Sequence, residues 1–170
     1  MKILCLGAIF ITWPLIPFGA YVRLKNAGLS CPDWPLCFGQ LIPPPGYEIG
    51  LEVGHRLMAV FLGLLIILIA LLSFREKKYT IYRKLAVINL TLVIFQGILG
   101  GLTVTMKLWP PMVVFHLLGG NILFGLIVYF SRIVFNNIGN IFTSRVNGSE
   151  KFLKIKTIVL LYTLGIELIQ

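Results

Sequence analysis

The sequence predicts an all-α integral membrane protein: a four-transmembrane-helix bundle with an extracytoplasmic loop cap and a partial fifth apolar segment. Three observations predict it. Of the 170 residues, 58% are hydrophobic and only 12% charged, against about 25% charged in a soluble domain. Four apolar runs approach or exceed the roughly 20 residues that cross a bilayer core. The net charge of +9 is gathered in short segments between those runs, the placement that sets membrane topology. Such a chain has membrane lipid as its surroundings and no nucleic acid as a partner.

The first helix is expected from about Ile3 to Tyr21, with a kink or an early end at Pro14 and Pro17. A signal peptide is the rival reading of Lys2 and the apolar run after it, but the small-residue cleavage site is weak. Helix 2 is expected from about Leu51 to Phe74, helix 3 from about Leu85 to Met106, and helix 4 from about Met112 to Phe135. A last apolar run, Ile155 to Ile169, has 15 residues and contains Glu167, which is short for a span. The chain thus divides into a membrane domain (1–135), a basic cytoplasmic linker (136–156) and a partial fifth transmembrane segment (157–170).

Orientation follows from the basic loops. Arg75, Lys77, Lys78, Arg83 and Lys84 lie between helices 2 and 3, and Arg132, Arg145, Lys151, Lys154 and Lys156 follow helix 4. Both segments, and the N-terminus with Lys2, are expected on the cytoplasmic side of the plasma membrane. The 20–50 and 107–111 loops then face outward.

The chain's two histidines, His55 and His116, fall near the outer ends of helices 2 and 4. Ionisable groups at membrane depth are costly and point to function. In an up-down bundle these helices are diagonal, so the two imidazoles share one depth and could ligate a flat metal-bearing ring, since imidazole is a common axial ligand of haem iron. Each histidine taken alone is equally consistent with a helix-to-helix hydrogen bond. Ala59 and Gly63 follow His55 at four and eight residues, and Gly119 and Gly120 follow His116 at three and four. Such small residues leave room for a porphyrin or simply let helices approach; Gly97, Gly100 and Gly101 are open to both readings. No cysteine or second carboxylate joins the histidines at that depth, which disfavours tetrahedral zinc.

Glu52 shares a face with His55 one turn nearer the outside. It reads either as a solvated acid favourable to the helix dipole or as a carboxylate at the ring edge that handles a proton or stabilises developing positive charge. Arg56 reads either as an interfacial anchor or as the partner of a haem propionate. In the outer loop, Cys31-Pro-Asp-Trp-Pro-Leu-Cys37 stands where a disulfide is permitted, as a staple worth at most roughly 2–3 kcal/mol or as a reducible redox pair. Cys5 has no evident partner. Trp34 and Pro43-Pro44-Pro45 suggest a cap lying against the membrane face, although an aromatic belt also accounts for Trp34 and Trp109.

These residues resemble the haem A synthase family. The stretch from Gly19 to Cys37 with Gly39, the Glu52-Val-Gly-His55-Arg56 motif, and Gln96-Gly-Ile-Leu-Gly-Gly-Leu-Thr-Val104 followed by Pro110 and His116 occur in the family's order over about residues 13 to 130. The resemblance implies a reaction, oxidation of the C8 methyl of haem O to a formyl to give haem A for terminal oxidases. It implies His55 and His116 as axial ligands, Glu52 as the catalytic acid and Cys31–Cys37 as the loop disulfide. Arg23 and Gln96 lie in the matched stretches and join Arg56 as candidates for propionate pairing or support of the ligands. Haem O synthase and the terminal oxidase assembly are the implied partners.

Family members have two four-helix halves, the second with its own histidine pair and haem b. Only the first half is matched here, so the chain is expected to be a half-length synthase that dimerises, one of two split chains, or a fragment; the partial fifth run favours the last two. Lys25-Asn26 also departs from the smaller or hydroxylated residues of the family loop. The alternatives are a b-type cytochrome or haem-carrying subunit without catalysis, and a membrane thiol oxidoreductase. The latter usually needs a Cys-x-x-Cys pair and a second cysteine pair, which the three cysteines do not supply.

Overall fold

The computed structural model describes residues 1–139, with side chains to residue 136. The fifth apolar run and most of the basic linker lie outside the described residues. Four α-helices run in sequence, α1 (Lys2–Leu24), α2 (Tyr47–Arg75), α3 (Arg83–Thr105) and α4 (Pro110–Gly139), with a 3₁₀ turn at Lys77–Tyr82 between α2 and α3. All four are long and apolar enough to cross a membrane. They pack as a ring in which α1 touches α2, α2 touches α3, α3 touches α4, and α4 closes back on α1. Helices α2 and α4 are therefore diagonal, as the up-down reading requires.

Helix α1 does not end at its prolines; it runs unbroken through Pro14 and Pro17 to Leu24. Proline removes a backbone donor, but in a bilayer a continuous helix is the cheapest way to satisfy the remaining backbone groups, and neighbouring helices hold it. Helix α2 starts four residues before the expected Leu51, and α4 begins at Pro110, a residue suited to the first helical turn because its missing N–H has no intrahelical partner there.

The interior is packed by Cys5, Ala8 and Leu15 of α1, Leu62, Ile66 and Ile69 of α2, Ala86 of α3, and Leu123, Ile127, Phe130 and Val134 of α4. Large apolar side chains such as Phe10, Phe61, Leu71, Ile94, Ile98 and Ile122 face outward, where lipid is an equally good solvent for them. Interior polar side chains bond back to their own helices. The hydroxyls of Thr12, Ser73 and Ser131 donate to the carbonyls of Ala8, Ile69 and Ile127, and the amides of Asn89 and Asn121 to those of Leu85 and Leu117. Each bond takes the carbonyl four residues back and lets a polar residue sit inside a helix. At the basic end, Arg83 donates from Nε to the Ser73 carbonyl and from Nη2 to that of Phe74, closing the last turn of α2, whose carbonyls lack helical donors.

Candidate functional site

The loop between α1 and α2 is a built structure held mainly to α2. Cys31 and Cys37 form a disulfide, and the Cys37 and Gln40 main chains pair with each other. Phe38 and Gly39 turn the chain with φ of 54° and 68°, a left-handed conformation that glycine adopts freely and phenylalanine does not. The Asp33 carboxylate holds this turn by accepting the N–H groups of Phe38 at 2.7 Å and Gly39 at 2.8 Å. The Gly39 N–H, with the Phe38 N–H and the charge of Arg56, keeps the Asp33 carboxyl below its ordinary range. A carboxylate whose pKa is depressed by folding adds stability above its unfolded pKa, about 3.9, and loses it as pH falls through the lower folded value. The turn is therefore expected to hold from neutral pH to about 4 and to loosen only in stronger acid. The check is the rate at which a phosphine reduces Cys31–Cys37, taken as the ratio of wild type to Asp33→Asn across that range. A ratio that stays at one throughout would remove Asp33 from the turn's stability.

Glu52 and Arg56 join this loop to α2. Glu52 is 4% exposed, so the solvated-acid reading of it does not hold. Its Oε2 accepts the Cys31 N–H at 2.9 Å, and its Oε1 accepts Nη2 of Arg56 at 2.5 Å. Arg56 also donates from Nη1 to the carbonyls of Asp33 at 2.9 Å, Pro35 at 3.4 Å and Leu36 at 2.6 Å. The guanidinium thus binds the loop backbone around Trp34 while it neutralises Glu52. On the far side, the Trp34 ring lies flat on Gly101 of α3, where a Cβ would come within 3.0–3.3 Å of three ring carbons.

The two histidines lie just below. His55 is eight residues into α2 and His116 six into α4, or about 12 and 9 Å along their helices. Each imidazole rests on a glycine of a neighbouring helix. A Cβ on Gly19 of α1 would meet Cε1 of His55 at 2.8 Å, and one on Gly100 of α3 would meet Cε1 of His116 at 3.4 Å. Phe18 packs edge-on against His55, with ring centroids 6.0 Å apart. Nδ1 of each histidine is buried without a hydrogen-bond partner.

The remaining candidates separate. Gln96 is 7% exposed, its main chain lies beside the His116 ring, and its Nε2 has no hydrogen-bond partner. Its carboxamide fills the notch that Gly119 leaves, and a Cβ there would collide with it. Gly119, read either as room for a ring or as a point of close helix approach, thus receives Gln96, while Gly63 has open space beside it and Ala59 is exposed. Arg23 is exposed in the last turn of α1 and makes no ion pair among the described residues. Cys5 is a free, buried thiol. Sequence reasoning did not single out the roles of Gly19, Phe18 and Asp33. The one signal for Gly19 was a glycine inside a helix, which costs about 0.5–1 kcal/mol against alanine and needs a packing reason.

The model of the COX15-CtaA family, described as cytochrome oxidase assembly protein, matches residues 2–49 and 47–168. The chain is 39% identical over 132 residues to the heme A synthase of Shewanella oneidensis, covering 67% of this chain and 39% of that protein. It is 38% identical over 122 residues to the heme A synthase of Shouchella clausii, covering 70% and 40%. For that of Geobacillus thermodenitrificans the values are 33% over 129 residues, 72% and 39%. The chain therefore spans about two fifths of the length of these relatives. No solved structure matches it. A family match over nearly the whole chain, on a four-span bundle with one histidine on each of two diagonal helices, makes this chain a member of the COX15-CtaA haem A synthase family.

Proposed function

We propose that this chain is the substrate-haem half of a haem A synthase. It holds haem O between His55 and His116 and takes part in oxidising the ring's C8 methyl to a formyl. The observation that supports this most is the histidine pair: one imidazole on each of two diagonal helices, each seated on a glycine, each with a buried Nδ1 that has no hydrogen-bond partner. That donor set suits an iron porphyrin. The bound haem would supply the oxidisable methyl; the protein supplies the seats, a water-poor interior and the carboxylate above. Arg23 is the freer of the two arginines for a propionate, because Arg56 is engaged by Glu52 and the loop carbonyls. In this reading residues 1–135 are the haem-binding unit and the N-terminus is cytoplasmic. The disulfide loop caps the outer face, and the second half that family members carry, with its haem b, completes the enzyme, whether it comes from a second chain, a second copy or the same polypeptide.

Glu52 separates catalysis from haem carriage. Glutamine keeps its shape and can still accept the Cys31 N–H, but it cannot exchange a proton. Glu52→Gln is expected to keep the haem spectrum and lower haem A formation by about 10²–10⁴-fold, the range for loss of a general acid or base. Alanine is the poorer test, because it also frees Arg56 and the loop. Haem A formed by Glu52→Gln at the wild-type rate would instead favour the second reading, a haem-carrying subunit. That reading has one observation in its favour: both Glu52 oxygens are committed to structural hydrogen bonds.

A further inference from the structure

The disulfide loop touches α2, which carries His55, and α3, which carries the glycine seat of His116. On α2 it is tied through Glu52 and Arg56, which flank His55 at three residues before and one after. On α3 it is tied through Trp34, whose ring rests on Gly101, the residue next to the Gly100 seat of His116. The two ties are of different kinds. The first is a set of charge-assisted hydrogen bonds and is strong; the second is van der Waals contact between one ring and one glycine, so its strength depends on how closely they fit.

We propose that Trp34 is a positioning residue for the haem site: the loop is a strap between α2 and α3, and the Trp34–Gly101 contact fixes how far apart the two imidazoles are held. The proposal rests on the bis-histidine reading above. Arg56 grips the carbonyls on both sides of Trp34, so the indole is carried by a rigid segment and its displacement is passed to α2. The Gly101 main chain is covered by the ring on one face, while Gly100 meets His116 on the adjacent face. A bulkier residue at position 101 therefore pushes the strap outward and leaves the His116 seat itself unaltered.

The test uses the full chain purified in detergent and loaded with haem, read by optical and electron paramagnetic resonance spectra. Trp34→Ala and Gly101→Val are expected to convert part of the low-spin signal to high-spin. Gly101→Ala, for which the indole needs to yield only a few tenths of an ångström, should do so less. Trp34→Phe should retain most of the low-spin form, which a general loss of folding would not produce. Helix content and an intact Cys31–Cys37 bond are checked in each variant. Spectra identical to wild type in Trp34→Ala and Gly101→Val overturn the strap. A wild-type spectrum that is not bis-histidine low-spin overturns the ligation reading, and the strap with it.

Discussion

Replacing His55 or His116 by alanine is expected to abolish the six-coordinate, low-spin haem spectrum of the purified chain. His55 and His116 are the two histidines of the chain, so neither imidazole has another to replace it. Losing an outer partner of a metal ligand costs about 10–100-fold in affinity, and losing the ligand itself should exceed that. The glycine seats give an independent approach. Gly19→Leu leaves both histidines in the sequence but puts a side chain where the His55 ring lies, 2.8 Å from the first carbon added. It should displace the ring and give a five-coordinate spectrum. Retention of the low-spin spectrum in both alanine variants would show that the iron is held elsewhere.

Arg56→Met should be the most damaging substitution to the structure outside the histidines. The Arg56 and Glu52 side chains are 16% and 6% exposed, so the pair is well shielded. Removing one partner of a buried ion pair typically costs about 3–5 kcal/mol, because the other charge is left uncompensated. Here the carbonyls of Asp33, Pro35 and Leu36 also lose their donor. The expected result is a large fall in thermal stability in detergent and faster reduction of Cys31–Cys37. Arg56→Lys should recover little, since an ammonium cannot reproduce the fork that reaches a carboxylate and several carbonyls at once. Arg56→Met with Glu52→Leu should be more stable than Arg56→Met alone, because the stranded charge is gone. Equal melting and reduction of wild type and Arg56→Met would mean the loop is held by its disulfide and Asp33 without help from α2.

Arg56 also shows where sequence reasoning stops. An arginine beside a histidine at the outer end of a helix suggests either an anchor or a propionate partner. Its actual contacts are backbone carbonyls 20 to 23 residues earlier in the chain, and carbonyls carry no sequence signature. Gln96 and Gly119 give the same lesson: the glycine was legible as a small residue near His116, but the group that fills its notch comes from another helix. By contrast, the four spans and the helix that carries each histidine could be read directly. Each depends on local periodicity and on counting residues from a helix end.

By itself, then, the sequence determined the bundle, its membrane setting, and which few polar residues are costly to place in its spans. The tertiary structure alone decided the partners: Glu52 with the Cys31 N–H and Arg56, Trp34 on Gly101, His55 on Gly19 and His116 on Gly100. The physical reason lies in the solvent. A helix in lipid is apolar on the side facing the bilayer as well as on the side facing its neighbours, so its pattern of hydrophobic residues does not reveal its rotation. Which residues meet across the bundle is then fixed only by the close packing of small residues and the route of the loop, and both exist only once the chain has folded.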